Sequence, residues 1–177
     1  MNHIILFAAG YMLAALAYYA NHRWVFHGIP RGPKWLKTLW KRYAKYHMKH
    51  HAKWRQEDPE TKKWLQVPVL AKLLSIIGLV IMTMIIGPGI PLGITLFLIV
   101  YGIRHGSIHG HPPWPFKSQM PVELNNWKKA SHVWRHHMSH HLGDPSVNHS
   151  GVHPFIDQMF GTYQDPNDIL SRSKIVR

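Results

Sequence analysis

The chain has 177 residues, enough for one domain, and sixteen of them are histidine against only eight Asp plus Glu. Cysteine is absent, which excludes disulfides, cysteine-type zinc sites, haem–thiolate and iron–sulfur clusters. A net charge of +13 suits either a nucleic-acid binder or a membrane protein with one basic face, and the placing of the charges separates the two.

That placing is one-sided. No Lys, Arg, Asp or Glu occurs before Arg23, and none occurs over residues 73–103. A soluble nucleic-acid binder would scatter charge along its amphipathic elements, so no nucleic-acid partner is expected. Uncharged runs of this length are the signal of membrane spans. The first run, residues 4–20, is about long enough to cross a bilayer core at roughly 1.5 Å per residue. A cleaved signal peptide would need a basic start and a small-residue cleavage site, whereas this run has no Lys or Arg and leads at once into a histidine motif. The stretch 34–63, rich in Lys, Trp and Tyr, is expected at the headgroup surface. Residues 67–86 form a second apolar span. Gly87-Pro88-Gly89-Ile90-Pro91 then reads as a tight turn, and residues 90–105 as a third span returning across the bilayer.

All twenty-one Lys and Arg lie after the first span or flank the open end of the hairpin. The positive-inside rule therefore predicts an N-terminus outside, with the histidine-rich regions 22–66 and 105–177 in the cytoplasm. Fifteen of the sixteen histidines fall on that side, His3 being the exception. The expectation is an all-α fold: a single membrane domain over 1–177, an integral helical bundle of about three to four spans with a cytoplasmic helical cap carrying the histidines.

Four histidine blocks stand out. His22 and His27 make H-x4-H, His47, His50 and His51 make H-x2-HH, His105 and His109 make H-x3-H, and His137, His140 and His141 make H-x2-HH again. Residues three and four apart share a helix face, so the second and fourth blocks each form an imidazole patch and the third a stacked pair. His22 and His27, five apart, sit slightly off one face, which points to two metals or to a helix end. Neutral imidazole is the commonest metal ligand, and ten of them can give two metals four or five ligands each. Nitrogen donors alone suit Fe, Zn, Cu or Ni without choosing among them. The fourth block can also begin at His136, as H-x3-HH, but His137 matches the second block and shares a face with His140 and His141.

The order and spacing of these blocks resemble the fatty acid hydroxylase (sterol desaturase) superfamily. His22-Arg23-Trp24-Val25-Phe26-His27 is similar to that family's HRxxFH block. The tail Gly151-Val152-His153-Pro154-Phe155-Ile156-Asp157-Gln158-Met159-Phe160-Gly161-Thr162-Tyr163 resembles its C-terminal GV…P.wD..FGTY run. The resemblance implies that the ten block histidines ligate a pair of irons, which zinc can replace in purified protein. The irons would use O2 to hydroxylate or desaturate a C–H bond of a membrane lipid. Electrons would come from a separate donor of ferredoxin or cytochrome b5 type. The basic charge of the 34–63 stretch offers an acidic donor a docking surface as a second role beside the headgroup one. Carotenoid hydroxylases are of similar size but typically carry H-x4-H in the third position and lack a clear FGTY tail, so an acyl-chain or sterol-like lipid is favoured. His132, His136, His149 and His153 are candidate supporters of ligand rings, with solvated or capping histidines as the other reading. Asp144 and Asp157 are carboxylate partners or structural caps. Trp24, Phe26, Trp114, Pro115, Phe116, Trp127 and Trp134 line a lipid access path or form an interfacial belt.

Two readings of another class are weighed, a b-type haem subunit and a non-catalytic metal-binding or transport protein. Haem would need histidines inside facing spans, and transport would need polar ligands along a span. Residues 73–101 offer only Ser75, Thr83 and Thr95.

Overall fold

The computed structural model describes residues 3–29, 31–54, 69–109 and 131–172, and among these every regular element is helical. In order they are α1 (His3–Ala20), a π-helical turn (Asn21–Phe26), α2 (Lys34–Trp54), α3 (Val69–Ile86), α4 (Gly89–Ile108), α5 (His132–Leu142), and the short α6 (Pro154–Met159) and α7 (Pro166–Arg172). Two segments, His3–Phe26 and Gly89–Ile108, are long and apolar enough to cross a membrane. The third expected span corresponds to α3, whose apolar stretch Leu73–Ile86 falls short of that length, while residues 67 and 68 lie outside the described residues.

The five-residue turn read from the sequence is narrower in the structure. Only Gly87 and Pro88 turn, with Gly87 at φ +82°, and helix resumes at Gly89. Pro91 sits in the first turn of α4, where a proline costs little because the backbone N–H it lacks has no helical acceptor.

Glycine decides how α1 and α4 meet. A Cβ on Gly93 would lie 2.0 Å from the Phe7 carbonyl oxygen, and one on Gly10 would lie 2.2 Å from that of Ile90. Lipid tails give no hydrophobic reason for helices to associate, so close backbone approach at small residues holds such pairs, and Gly89-x3-Gly93 is that pattern. Above the crossing lies an aromatic layer. Tyr11 meets Phe97 edge-on, and Tyr101 donates to the Tyr18 hydroxyl at 2.7 Å. Ala15, Tyr19, Phe97 and Ile156 form its buried centre, while Ile4, Leu13, Leu92 and Ile99 point outward and are exposed. The polar aromatics thus face inward and the aliphatics outward, the arrangement a lipid surround demands.

Helix α5 starts at a Ser131 cap, whose hydroxyl accepts from the Trp134 amide. Its Met138 packs with Ile108, Val152 and Leu170, which seats α5 and α7 beside the end of α4.

Candidate metal centre

Spacing along α2, α4 and α5 places imidazoles on facing surfaces at one end of the spans. The first pair arrives by a different backbone. After α1 the chain widens into the π-turn, and the His27 amide bonds the His22 carbonyl five residues back, at 3.2 Å. One wide turn thus brings His22 and His27 to the same cluster, with ring centroids 5.1 Å apart. Of the two readings of that spacing, the helix end is the one observed.

The histidines form two groups. In the first, the ligand atoms of His22, His27, His47, His51 and His140 all lie within 4.8 Å of one another. His47 Nε2 is 3.0 Å from those of His22 and His27 and 2.9 Å from that of His51, and His140 Nε2 is 3.1 Å from His27 Nε2. In the second, His50, His105, His109 and His141 meet the same limit. His137 closes this group, its Nε2 lying 3.0 Å from His109 Nε2 and 2.9 Å from His141 Nε2. All ten block histidines are therefore brought together. Each H-x2-HH block is divided, since His50 leaves His47 and His51, and His140 leaves His137 and His141.

These contacts fit a shared ion better than hydrogen bonding among the rings. An imidazole nitrogen carries at most one hydrogen, yet His47 Nε2 has three nitrogen neighbours at contact distance. Two nitrogens each roughly 2.0–2.1 Å from one ion, at right angles, stand about 2.9 Å apart. The observed separations of 2.9 to 3.2 Å match that spacing. The protonation states agree. Burial first, and then the charge of neighbouring histidines, holds His137, His140 and His141 well below the ordinary histidine value and lowers His47 as well. His27 is lowered to about 4, by burial and then by His149. Neutral rings can take a metal without displacing protons.

Backbone carbonyls set which nitrogen faces inward. His140 Nδ1–H donates to the Val147 carbonyl at 2.7 Å, and His22 Nδ1–H donates to the His149 carbonyl. A carbonyl only accepts, so each Nδ1 carries the hydrogen and each Nε2 presents its lone pair.

The expected supporting residues divide. His136 turns away from both groups, with Nδ1 3.2 Å from the Gly151 carbonyl and Nε2 3.1 Å from Asp157 Oδ2, both side chains fully buried. Asp157 Oδ1 accepts from the His149 amide and the Thr162 hydroxyl, and Oδ2 from the amide and hydroxyl of Ser150. Burial opposes ionisation of Asp157, but bonds from His136, Ser150 and Thr162 outweigh it and leave the carboxyl below its usual value. His149 contributes its carbonyl rather than its ring, whose Nε2 bonds the Ser146 carbonyl. His153 bonds the Tyr11 hydroxyl at 2.7 Å and stacks on Phe97, fastening the tail to the spans. His132 is exposed at the start of α5, and Asp144 caps a local turn through Ser146. Among the aromatics, Phe26 stacks on His47, Trp24 is exposed and Trp134 packs at the α5 base, while Trp114, Pro115, Phe116 and Trp127 lie outside the described residues. The carbonyls of Val147, His149 and Gly151 escaped the sequence reading, since every residue has one. The sequence signals there were His149 as a candidate supporter and the tail's likeness to the GV…P.wD..FGTY run from Gly151 onward, and neither pointed to backbone carbonyls.

Apolar helices of spanning length whose one end gathers convergent imidazoles define a membrane-associated helical protein with a site suited to metal. The chain belongs to the fatty acid hydroxylase family, whose family model matches residues 7–162. Membership implies an oxidoreductase that hydroxylates or desaturates lipid. No curated protein and no solved structure matches the chain.

Proposed function

We propose that the protein is a multi-pass membrane oxygenase that uses two iron ions, O2 and externally supplied electrons to hydroxylate or desaturate a lipid of acyl-chain or sterol-like type. The observation that carries this reading is the pair of convergent Nε2 groups in a chain of the fatty acid hydroxylase family. His22, His27, His47, His51 and His140 hold one ion, and His50, His105, His109, His137 and His141 hold the other. Bound iron supplies the activation of O2 and the oxidation of an unactivated C–H bond.

The chain's own part is ligation, exclusion of water and substrate placement. Most of the ligand rings are buried, so the reacting centre is dry. Tyr18, Phe97 and Tyr101 close the membrane side of the clusters, and Tyr101 stacks on His105. A lipid chain lying among the spans reaches the ligands past this aromatic layer. The charge distribution supports an outside N-terminus and a cytoplasmic site. The exposed basic face of α2 suits an acidic electron donor of ferredoxin or cytochrome b5 type.

Mass spectrometry of lipid extracts tests the reaction. Cells making the protein, but not its His140→Ala form, should accumulate a lipid that has gained one oxygen or lost two hydrogens. Identical lipid profiles in an electron-competent host would refute the proposal. A carotenoid altered in place of an acyl or sterol lipid would reassign the substrate within the same chemistry.

A further inference from the structure

The fully buried carboxylate of Asp157 lies outside both imidazole groups, yet four hydrogen-bond donors converge on it, the amides of His149 and Ser150 and the hydroxyls of Ser150 and Thr162, and His136 Nε2 lies 3.1 Å from its Oδ2. The segment it fastens supplies the carbonyls that hold His140 and His22, and both rings belong to the first group. A second tie grips the same segment. Asn148, at φ +56°, bonds Ser139, the Gln164 carbonyl and the Gln164 amide. The carboxylate is also reached from the molecular surface. Arg23 donates to the Tyr19 hydroxyl at 2.7 Å, Tyr19 to Thr162 at 2.9 Å, and Thr162 to Asp157 at 2.7 Å. Arg23 is next to His22 in the chain, so the relay starts on the backbone that carries that ligand and ends on the carboxylate that fastens the ligand's carbonyl partner, His149.

We infer that Asp157 is a positioning residue for the first metal group alone: by clamping the 147–151 segment it sets the carbonyls that aim His22 and His140. The inference rests on the two-ion reading above. Its distinguishing content is asymmetry. The carbonyls of Val147 and His149 reach ligands of the first group, while that of Ser150 accepts from the His153 amide and that of Gly151 goes to His136, which ligates neither. A general structural buttress would loosen both groups together.

Zn2+ binding to the full-length protein in detergent, measured against a competing chelator, tests this. In a His50→Ala background, which leaves the first group intact, Asp157→Asn should weaken Zn2+ by about 10- to 100-fold, the usual consequence of losing an outer partner. In a His140→Ala background, which leaves the second group, the same change should not alter the affinity. Thr162→Val should repeat the selective loss in milder form, and Thr162→Ser should restore binding. This keeps the test alive if Asp157→Asn does not fold. Equal weakening in both backgrounds, or none in the His50→Ala background, overturns the inference. If the unsubstituted chain binds fewer than two Zn2+, the two-ion reading fails first, and that outcome is visible before any Asp157 variant is made.

Discussion

The α1–α4 crossing allows a sharp test of the architecture. Replacing Gly93 with alanine places a methyl 2.0 Å from the Phe7 carbonyl oxygen and 2.7 Å from the Tyr11 amide nitrogen. An ordinary C···O approach is about 3.3 Å, so the helices must part by about 1.3 Å. Both obstructing atoms are backbone, and no rotamer change relieves the clash. Overpacking of this kind costs about 1–3 kcal/mol. Gly78 and Gly102 are the internal controls, since nothing lies within 4 Å of a Cβ at either. Alanine there should stabilise the helix by about 0.5–1 kcal/mol. Thermal melts in detergent should show Gly93→Ala falling by about 2–4 °C for each kcal/mol lost, and Gly102→Ala rising slightly. His105 and His109 ride on α4 while their partners sit on α2 and α5, so Gly93→Ala should also release metal from the second group. Ligand distances tolerate only about 0.2 Å of error. Equal melting temperatures for Gly93→Ala and Gly102→Ala would refute the crossing.

Removing ligands should act by group. His140→Ala and His50→Ala should each abolish activity and lose about half the metal, measured by elemental analysis, whereas His3→Ala should do neither. Full activity of the His140→Ala protein would defeat the ligand assignment. The metal-stripped protein should be acid-sensitive. Unfolded histidines protonate near pH 6.5, whereas the folded forms of His137, His140 and His141 resist to far lower pH. The unfolded state then binds more protons, so stability falls as pH drops below about 6.5, at about 1.4 kcal/mol per pH unit for each such group. Melts of stripped protein that stay level from about pH 7 to 5 would contradict this burial. Tyr11→Phe, which removes the hydroxyl partner of His153, should cost about 1 kcal/mol and leave metal content unchanged.

The sequence made the histidine blocks legible because helix periodicity converts spacing into a shared face. It also made legible the all-helical build and the two long apolar segments. The sorting into two groups was not legible. Neighbouring positions such as His50 and His51, or His140 and His141, point about 100° apart on a helix, so one block serves two centres once α2 and α5 face each other. Pairing of that kind depends on tertiary approach, which spacing within a block does not encode. The role of Asp157 was hidden for a related reason. It accepts from two loop amides and two hydroxyls, and the positions of those donors follow from the closed fold rather than from residue type. The turn at Gly87 and Pro88 was read too wide because Pro91 looks like a helix breaker unless it falls in a first turn, where it is harmless.

The π-turn has a consequence for how such motifs vary. His22 and His27 are five residues apart with rings 5.1 Å apart, while His105 and His109 are four apart with rings 4.6 Å apart. Backbone winding absorbs the additional residue, and the imidazoles arrive in nearly the same relation. What the centre selects is angular phase around a helix axis, not chain length between ligands. A gene can therefore gain or lose one codon between two ligands without losing the site, provided the local helix changes its pitch to match.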